Sequence, residues 1–395
     1  TLRLLAGGLR PLGRWLIPVK IAAGHLVQPS GRHRLAVAGL VCAIAMTAGM
    51  TILVASFDTT MRGWIERTFQ ADLYVSSSGA QSASTENRIS AATWKTLADH
   101  PAVEAMNVVQ TSEVRLSEGA TILSGGELGL MHQRTSLPWM QEPLSDEVFD
   151  PEKNVGLALV SESFSERFQL RRGDHVTVPT PGGEKDLTIA GVFSDYGNER
   201  GSILVERRHF ADWFQDEQAS GLMVFVRPGY SAESLRAEWL VRYPGLRVFS
   251  NAHLRAEILR IFRQTFAITY ALEVIGVLVA VIGLGLTLAS VLLERRAELA
   301  TLRALGMTRR EIARATACEG LLLGMAGVVA GSAVSLALGW MLVFVINKQT
   351  FGWTLGFEVP WSQMTMLALL VIGIGTGVAY GVGRWGANLP ADQEE

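Results

Sequence analysis

Four uncharged, apolar stretches punctuate the chain, at residues 35–57, 274–293, 320–347 and 359–383. Each is long enough to cross a bilayer as a helix, which takes about 20 residues. Beyond the first stretch, Met61, Trp64, Ile65 and Phe69 keep a helical spacing, so the helix is predicted to run on into water over residues 58–72. Leu254, Ile258, Ile261, Phe262 and Phe266 form a matching stripe that leads through residues 250–265 into the second span, 266–293. Two such projecting helices make a stalk on either side of residues 73–249, where the pattern changes to short runs of mixed period. Strands are predicted at 72–77, 105–116, 121–124, 156–160, 175–179, 186–193, 202–205 and 222–227. Pro181, Gly182 and Gly183 mark a hairpin between two of them. Helices are predicted at 90–99, 162–168, 207–214 and 231–243, and the poorly periodic run 128–151 reads as an inserted loop.

The resulting fold class is a membrane protein: an α-helical four-span bundle with a large α+β extracytoplasmic domain between spans one and two. The third span, 320–347, carries Gly320, Gly324, Gly327 and Gly331, a spacing that lets helices approach closely in lipid. The fourth, 359–384, carries Gly373, Gly375, Gly377, Gly381 and Gly383, again suggesting an intimate bundle. Trp353 and Trp361 bracket the outer loop, 348–358, as aromatic belts do at a membrane interface. The opening residues 1–34 are interrupted by Pro11 and Pro18 and read as a basic amphipathic elbow lying in lipid headgroups.

Between spans two and three lies a segment of a different kind, residues 294–319. It begins Glu294, Arg295, Arg296 and continues through Glu298, Leu299, Leu302, Arg303 and Leu305, with the leucines at helical spacing. Gly306 is the natural stop, since glycine enters the left-handed region at no steric cost. Thr308, Arg309, Arg310 and Glu311 then restart a helix through a T-x-x-E capping box. The expected product is a rigid, basic helix–turn–helix knuckle, suited to docking rather than tethering.

Charge sets the orientation. Residues 1–34 hold six Lys/Arg and no acid, whereas 58–263 hold 21 basic and 28 acidic residues. Short Lys/Arg-rich segments stay cytoplasmic, while long domains cross regardless of charge. Both termini, including the tail 385–395, and the knuckle are therefore expected in the cytoplasm, with 58–265 outside a bacterial cytoplasmic membrane. The composition, 49% hydrophobic with 40 glycines, fits a membrane protein.

Candidate chemistry is sparse. The run Leu123-Ser124-Gly125-Gly126-Glu127 looks like the signature loop of an ABC ATPase, but no G-x-x-x-x-G-K-[ST] accompanies it, and it reads as a turn after a strand. The seven histidines show no metal-binding spacing, Cys42 and Cys318 are read as packing residues, and no G-x-S-x-G elbow is present. Neither a catalytic residue, a metal nor a nucleic-acid partner is expected. Glu273 and Glu319 sit in or beside spans, where charge is often functional, although snorkelling to the headgroups explains them equally.

The whole pattern resembles the FtsX/MacB-type permease family of ABC transporters. The resemblance rests on the basic elbow, the large domain between the first two spans, residues 160–197, and above all ELATLRALGMTRREI at 298–312 followed by a glycine-rich span. It implies that the knuckle docks on a cytoplasmic ABC ATPase dimer, which would bind the ATP and Mg that this chain does not. ATP-driven closure of that dimer would move the external domain through the stalk, exporting or extracting an amphipathic substrate such as a lipid, lipoprotein or hydrophobic small molecule. The alternative is transmembrane signalling to an extracytoplasmic protein, such as a cell-wall hydrolase, without transport. A second permease copy or a homologous half would complete the assembly among membrane lipids. The amphipathic opening resembles the linker of two-repeat members, which would make this chain a C-terminal half.

Overall fold

The computed structural model describes residues 31–77, 87–294, 301 and 303–386. The predicted elbow up to residue 30 and the tail from 387 lie outside them. The described chain gathers into two compact units. One comprises the described parts of Thr1–Phe57, Thr265–Ile346 and Gly356–Glu395; the other comprises Asp58–Gln264 and Asn347–Leu355.

Helix α1 (Gly31–Thr68) is a single rod of 38 residues. At 1.5 Å per residue it spans about 57 Å, well beyond the ~30 Å hydrocarbon core of a bilayer. The predicted span and stalk are thus one continuous element. After it come β1 (Leu73–Ser77), α2 (Ala91–Ala98), β2 (Val103–Leu116) and β3 (Gly119–Gly126). Next are α3 (Leu128–Arg134), β4 (Trp139–Gln141), a 3₁₀ turn at Asp146–Phe149, β5 (Leu157–Ser161) and α4 (Glu162–Phe168). The domain continues with β6 (His175–Thr180), β7 (Gly183–Phe193), β8 (Ser202–Glu206), α5 (Arg207–Phe214), β9 (Gly221–Val226), α6 (Ala232–Arg242) and β10 (Leu246–Ser250). Helix α7 (Asn251–Glu294) is again one rod, of 44 residues.

The strands run in the order β10-β1-β9-β2-β3-β8-β5-β7-β4, with β6 on β7. The long strand β2 joins two cores. Its first half pairs β9 and buries Val103, Met106 and Val108 against Trp94 and Leu97 of α2 and Leu235 and Trp239 of α6. Its second half pairs β3, and Val114 joins a second core around Phe164, Phe168 and Phe210. The predicted hairpin is present, with Thr180 opposite Gly183.

Three expectations need correction. Residues 128–151 are not a structureless insertion. They form α3, β4 and the 3₁₀ turn, and bury Leu128, Val148 and Phe149 against Leu159, Phe193 and Leu204. Those elements are each under two helical turns, too short to leave a period in the sequence. Nor is Leu123–Gly126 a turn: β3 continues to Gly126, paired in parallel with β8, and the Phe210 side chain lies over Gly125 where a Cβ would stand. Trp353 is not an interfacial belt residue, being buried beside Tyr196.

In the other unit, α8 (Arg309–Met341) passes through a π-helical turn, Leu342–Ile346, into the short α9 (Asn347–Phe351), and α10 (Trp361–Gly386) follows. Residues of α1, α7, α8 and α10 meet in one apolar cluster around Leu40, Ile44 and Val371, joined by Val277, Val328 and Leu367. Gly331 lets α8 lie against α1 so closely that a Cβ would fall 2.7 Å from that of Ile44, and Leu40 blocks the same space at Gly327. The glycines of α10 behave differently. At Gly373, Gly377 and Gly381 a Cβ would meet no other element of the described residues within 4 Å, whereas at Gly383 it would fall 2.7 Å from Thr316 Oγ1, and Gly375 is buried. Three described helical stretches are long and apolar enough to cross a membrane: Val37–Thr68, Arg309–Phe351 and Trp361–Trp385.

Candidate functional site

The knuckle is built by local rules. Helical hydrogen bonding reaches Leu305, whose N–H donates to the Thr301 carbonyl at 3.0 Å, and then Gly306 turns the chain with φ +100°. A side chain at that φ would be strained, so the glycine is required. Thr308 then caps α8 reciprocally. The Glu311 N–H donates to Thr308 Oγ1 at 3.3 Å, and the Thr308 N–H donates to Glu311 Oε2 at 2.7 Å. The predicted capping box is present in full.

One turn further, Ile312, Ala313 and Thr316 are buried, and Gly383 of α10 stands where a Cβ would meet Thr316 Oγ1 at 2.7 Å. The cap is therefore anchored on the bundle, while the turn itself stays open. Leu305 is 79% exposed, and Arg303, Arg309 and Arg310 are exposed around it. A leucine so bare beside three guanidinium groups has the composition of a docking surface. Arg295, Arg296, Glu298, Leu299 and Leu302, with the side chain of Glu294, lie outside the described residues, as does the side chain of Glu273. Glu319 is only 6% exposed, so it does not snorkel outward.

A second feature, at the entry to the external domain, leaves almost no trace in the sequence. Strands β1 and β10 pair antiparallel, with Leu73 opposite Ser250, so the end of α1 and the start of α7 are held together. Asn251 completes the join. Its Nδ2 donates to the carbonyls of Phe69 and Ala71 at 2.9 and 2.8 Å, and its N–H to that of Asp72 at 3.0 Å. Arg255, one turn along α7, donates from Nη2 to Phe69 O at 2.6 Å. Asp72 in turn accepts from the Val226 N–H at 2.7 Å. The carbonyls just beyond the end of α1 are thus satisfied by the residues that begin α7. We call this arrangement the yoke. Its only sequence signal is an Asn directly after a strand-like LRVFS, and the partners lie about 180 residues away.

Buried carboxylates are the remaining chemistry. Burial pushes the Glu162, Glu127 and Asp195 carboxyls above their ordinary range, and each has a structural partner. Thr354 Oγ1 donates to Glu162 Oε1 at 2.6 Å; Arg207 lies 3.5 Å from Glu127; Asp195 accepts from the Gly197 N–H and from Ser202 Oγ. Among the described residues no group of three or more His, Cys, Asp or Glu could hold a metal ion.

Comparison with known proteins gives two family matches. Residues 270–383 match the FtsX-like permease C-terminal family, and residues 35–240 match the MacB-like periplasmic core domain. An uncharacterized ABC transporter permease protein of Mycobacterium tuberculosis is 29% identical over 97% of this chain. The chain spans 46% of that relative's length. Among solved structures, the periplasmic region of MacB from Actinobacillus actinomycetemcomitans aligns with 49% of this chain and 95% of its own, at 12% identity and a TM-score of 0.36. The extracellular domain of the noncanonic ABC-type transporter YknZ from Gram-positive bacteria aligns with 46% of this chain and 99% of its own, at 14% identity and a TM-score of 0.32.

Proposed function

Since this chain belongs to the FtsX/MacB-type family of ABC transporter permeases, we propose that it is the force-transmitting membrane subunit of such a transporter. In this reading the bundle crosses the bacterial cytoplasmic membrane four times, α7 supplying the second span, with both termini inside and residues 58–265 outside. The knuckle docks on a cytoplasmic ABC ATPase dimer, which binds ATP and Mg; the permease itself catalyses nothing. A second permease copy, or a homologous half, completes the assembly. The work done outside is the export or extraction of an amphipathic substrate, such as a lipid, lipoprotein or hydrophobic small molecule.

The observation that carries this reading is Leu305, bare at the tip of a turn fixed by Gly306 on one side and the Thr308–Glu311 box on the other. Because the backbone that carries it is already fixed, covering such an apolar side chain costs only the side chain's own rotamer freedom. The yoke supplies the second requirement, since two long helices can deliver a displacement to a domain only if their ends are fixed to it.

The test is co-purification of the full-length permease with its ATPase, followed by the ATPase rate of the complex. Leu305→Asp and Arg303→Glu are each expected to weaken the complex about 30-fold or more, the scale of a hot-spot loss of about 2 kcal/mol. Unchanged complex formation and rate in both variants would refute the docking claim.

A further inference from the structure

The segment between α8 and α10 belongs to the compact unit of the external domain rather than to that of the helices it connects. Its contacts explain why. Thr354 is held twice: its hydroxyl donates to Glu162 Oε1 at 2.6 Å, and its carbonyl accepts from the Tyr196 hydroxyl at 3.0 Å. Lys348 Nζ pairs with Glu166 Oε1 at 2.9 Å, one turn along α4 from Glu162. Trp353, 5% exposed, sits with its ring 5.6 Å from that of Tyr196 and stacked on Phe351 at 5.2 Å. Asn347 Nδ2 closes the loop on itself by donating to Trp353 O at 3.0 Å. Gly352, at φ +74°, brings the backbone within van der Waals reach of Ser163. Tyr196 also meets Trp64 of α1 edge-on at 5.7 Å, so the rings of the loop and the stalk are in series.

The flanking chain is built differently. On the α8 side, the helix loosens into the π-helical turn Leu342–Ile346 immediately before Asn347, where the compact unit changes. Such turns recur at functional positions in helices. On the other side, the unit changes back at Gly356; the stretch to Trp361 has no regular structure and is held at Glu358, whose N–H donates to Ser56 Oγ at 3.0 Å and whose carbonyl accepts from it at 3.3 Å. A segment docked on one unit, with the other unit resuming on either side of it, is the construction of a strap.

We propose that Asn347–Leu355 is a permanent mechanical link, fastening the chain between α8 and α10 to the β-rich half of the external domain, so that this segment moves with the domain throughout the transport cycle. Force then reaches the domain by a third route besides α1 and α7, with the π-helical turn absorbing the bend. The functional consequence rests on the reading given under Proposed function; the fastening itself does not.

The experiment uses the full-length permease with its ATPase in membrane vesicles, with Cys42 and Cys318 replaced by serine. Cysteines at Ser163→Cys and Gly352→Cys would place their Cβ atoms 3.4 Å apart, close to disulfide geometry. After mild oxidation the pair is expected to resist thiol labelling to the same extent without nucleotide and with ATP plus vanadate. Ready labelling in the nucleotide-free state, or labelling that appears with ATP–vanadate, would overturn the proposal. Leu305→Asp is expected to leave the cross-link unchanged while abolishing ATPase docking, which separates failure of the strap from failure of the knuckle. Because a cysteine at Gly352 is strained, a charge exchange provides a second measure. Lys348→Glu with Thr354→Val should lower permease-coupled ATPase activity at least threefold without loss of the complex. Glu166→Lys with Lys348→Glu should restore the pairing and the rate relative to Lys348→Glu alone. No change in the first variant, or no rescue in the second, would equally count against the strap.

Discussion

The knuckle and the yoke are both places where a long helix stops and another starts, and they are finished in opposite ways. At the knuckle the turn and cap among the described residues are set by neighbours in sequence: a glycine at φ +100° and one reciprocal box between Thr308 and Glu311, both exposed. At the yoke the contacts run between Phe69–Asp72 and Asn251–Arg255, and they are partly buried. The difference follows from what each must do. In the proposed function, a surface that receives a partner keeps its leucine exposed, and local backbone geometry holds it in shape. A junction that carries displacement has no use for exposed groups and gains stiffness from long-range bonds, which cannot slip one at a time.

That contrast can be broken by mutation. Asn251→Ala removes two side-chain donors from partly buried carbonyls, and at about 1 to 1.5 kcal/mol each the external unit is expected to lose about 2–3 kcal/mol. Denaturant unfolding of the full-length protein followed by Trp fluorescence reads this. A loss under 0.5 kcal/mol would mean that strand pairing alone makes the yoke. Thr308→Ala should cost less, about 1 kcal/mol, and only locally. Its signature is faster amide exchange in the first turn of α8, with the global midpoint unmoved.

The smallest effect is one of pH. Burial raises the Glu162 carboxyl, although the bond from Thr354 and the charge of Lys348 oppose the shift, while Glu166 and Tyr196 are the other titratable groups beside it. Its second oxygen is buried with no hydrogen-bond partner among the described residues, so no donor there favours the charged form. A group raised in the docked state stabilises docking fully below its free value of 4.5 and progressively less as pH climbs through the raised value. The external unit should therefore melt slightly higher at mildly acidic than at neutral pH. Glu162→Gln, neutral at all pH, should flatten that part of the dependence.

Legibility in the sequence divides along the same line. Gly306, the Thr308–Glu311 box, the long helices and the Thr180–Gly183 hairpin are set by neighbours within a few residues, and each was readable from spacing. Strand β10, the Asn251 and Arg255 bonds and the burial of Trp353 depend on partners more than 100 residues away, and no periodicity encodes them. Short elements failed for another reason: α3 and β4 span seven and three residues, less than the repeat needed to show a face. The fourth-span glycines read alike in sequence, but Gly375 and Gly383 are buried while a Cβ at Gly373, Gly377 or Gly381 would meet no other element of the described residues, since a small residue marks a possible approach without naming the partner.

The central claim is that force taken up at the knuckle displaces the external domain. Spin labels at Val241→Cys, 86% exposed on α6, and at Leu369→Cys, 73% exposed on α10, report that displacement directly in a cysteine-free complex reconstituted in nanodiscs. Pulsed electron–electron resonance should give one distance distribution without nucleotide and a shifted one with ATP plus vanadate, and Leu305→Asp should hold the first distribution under both conditions. A distribution that ignores nucleotide, or one that still shifts in Leu305→Asp, would contradict the account.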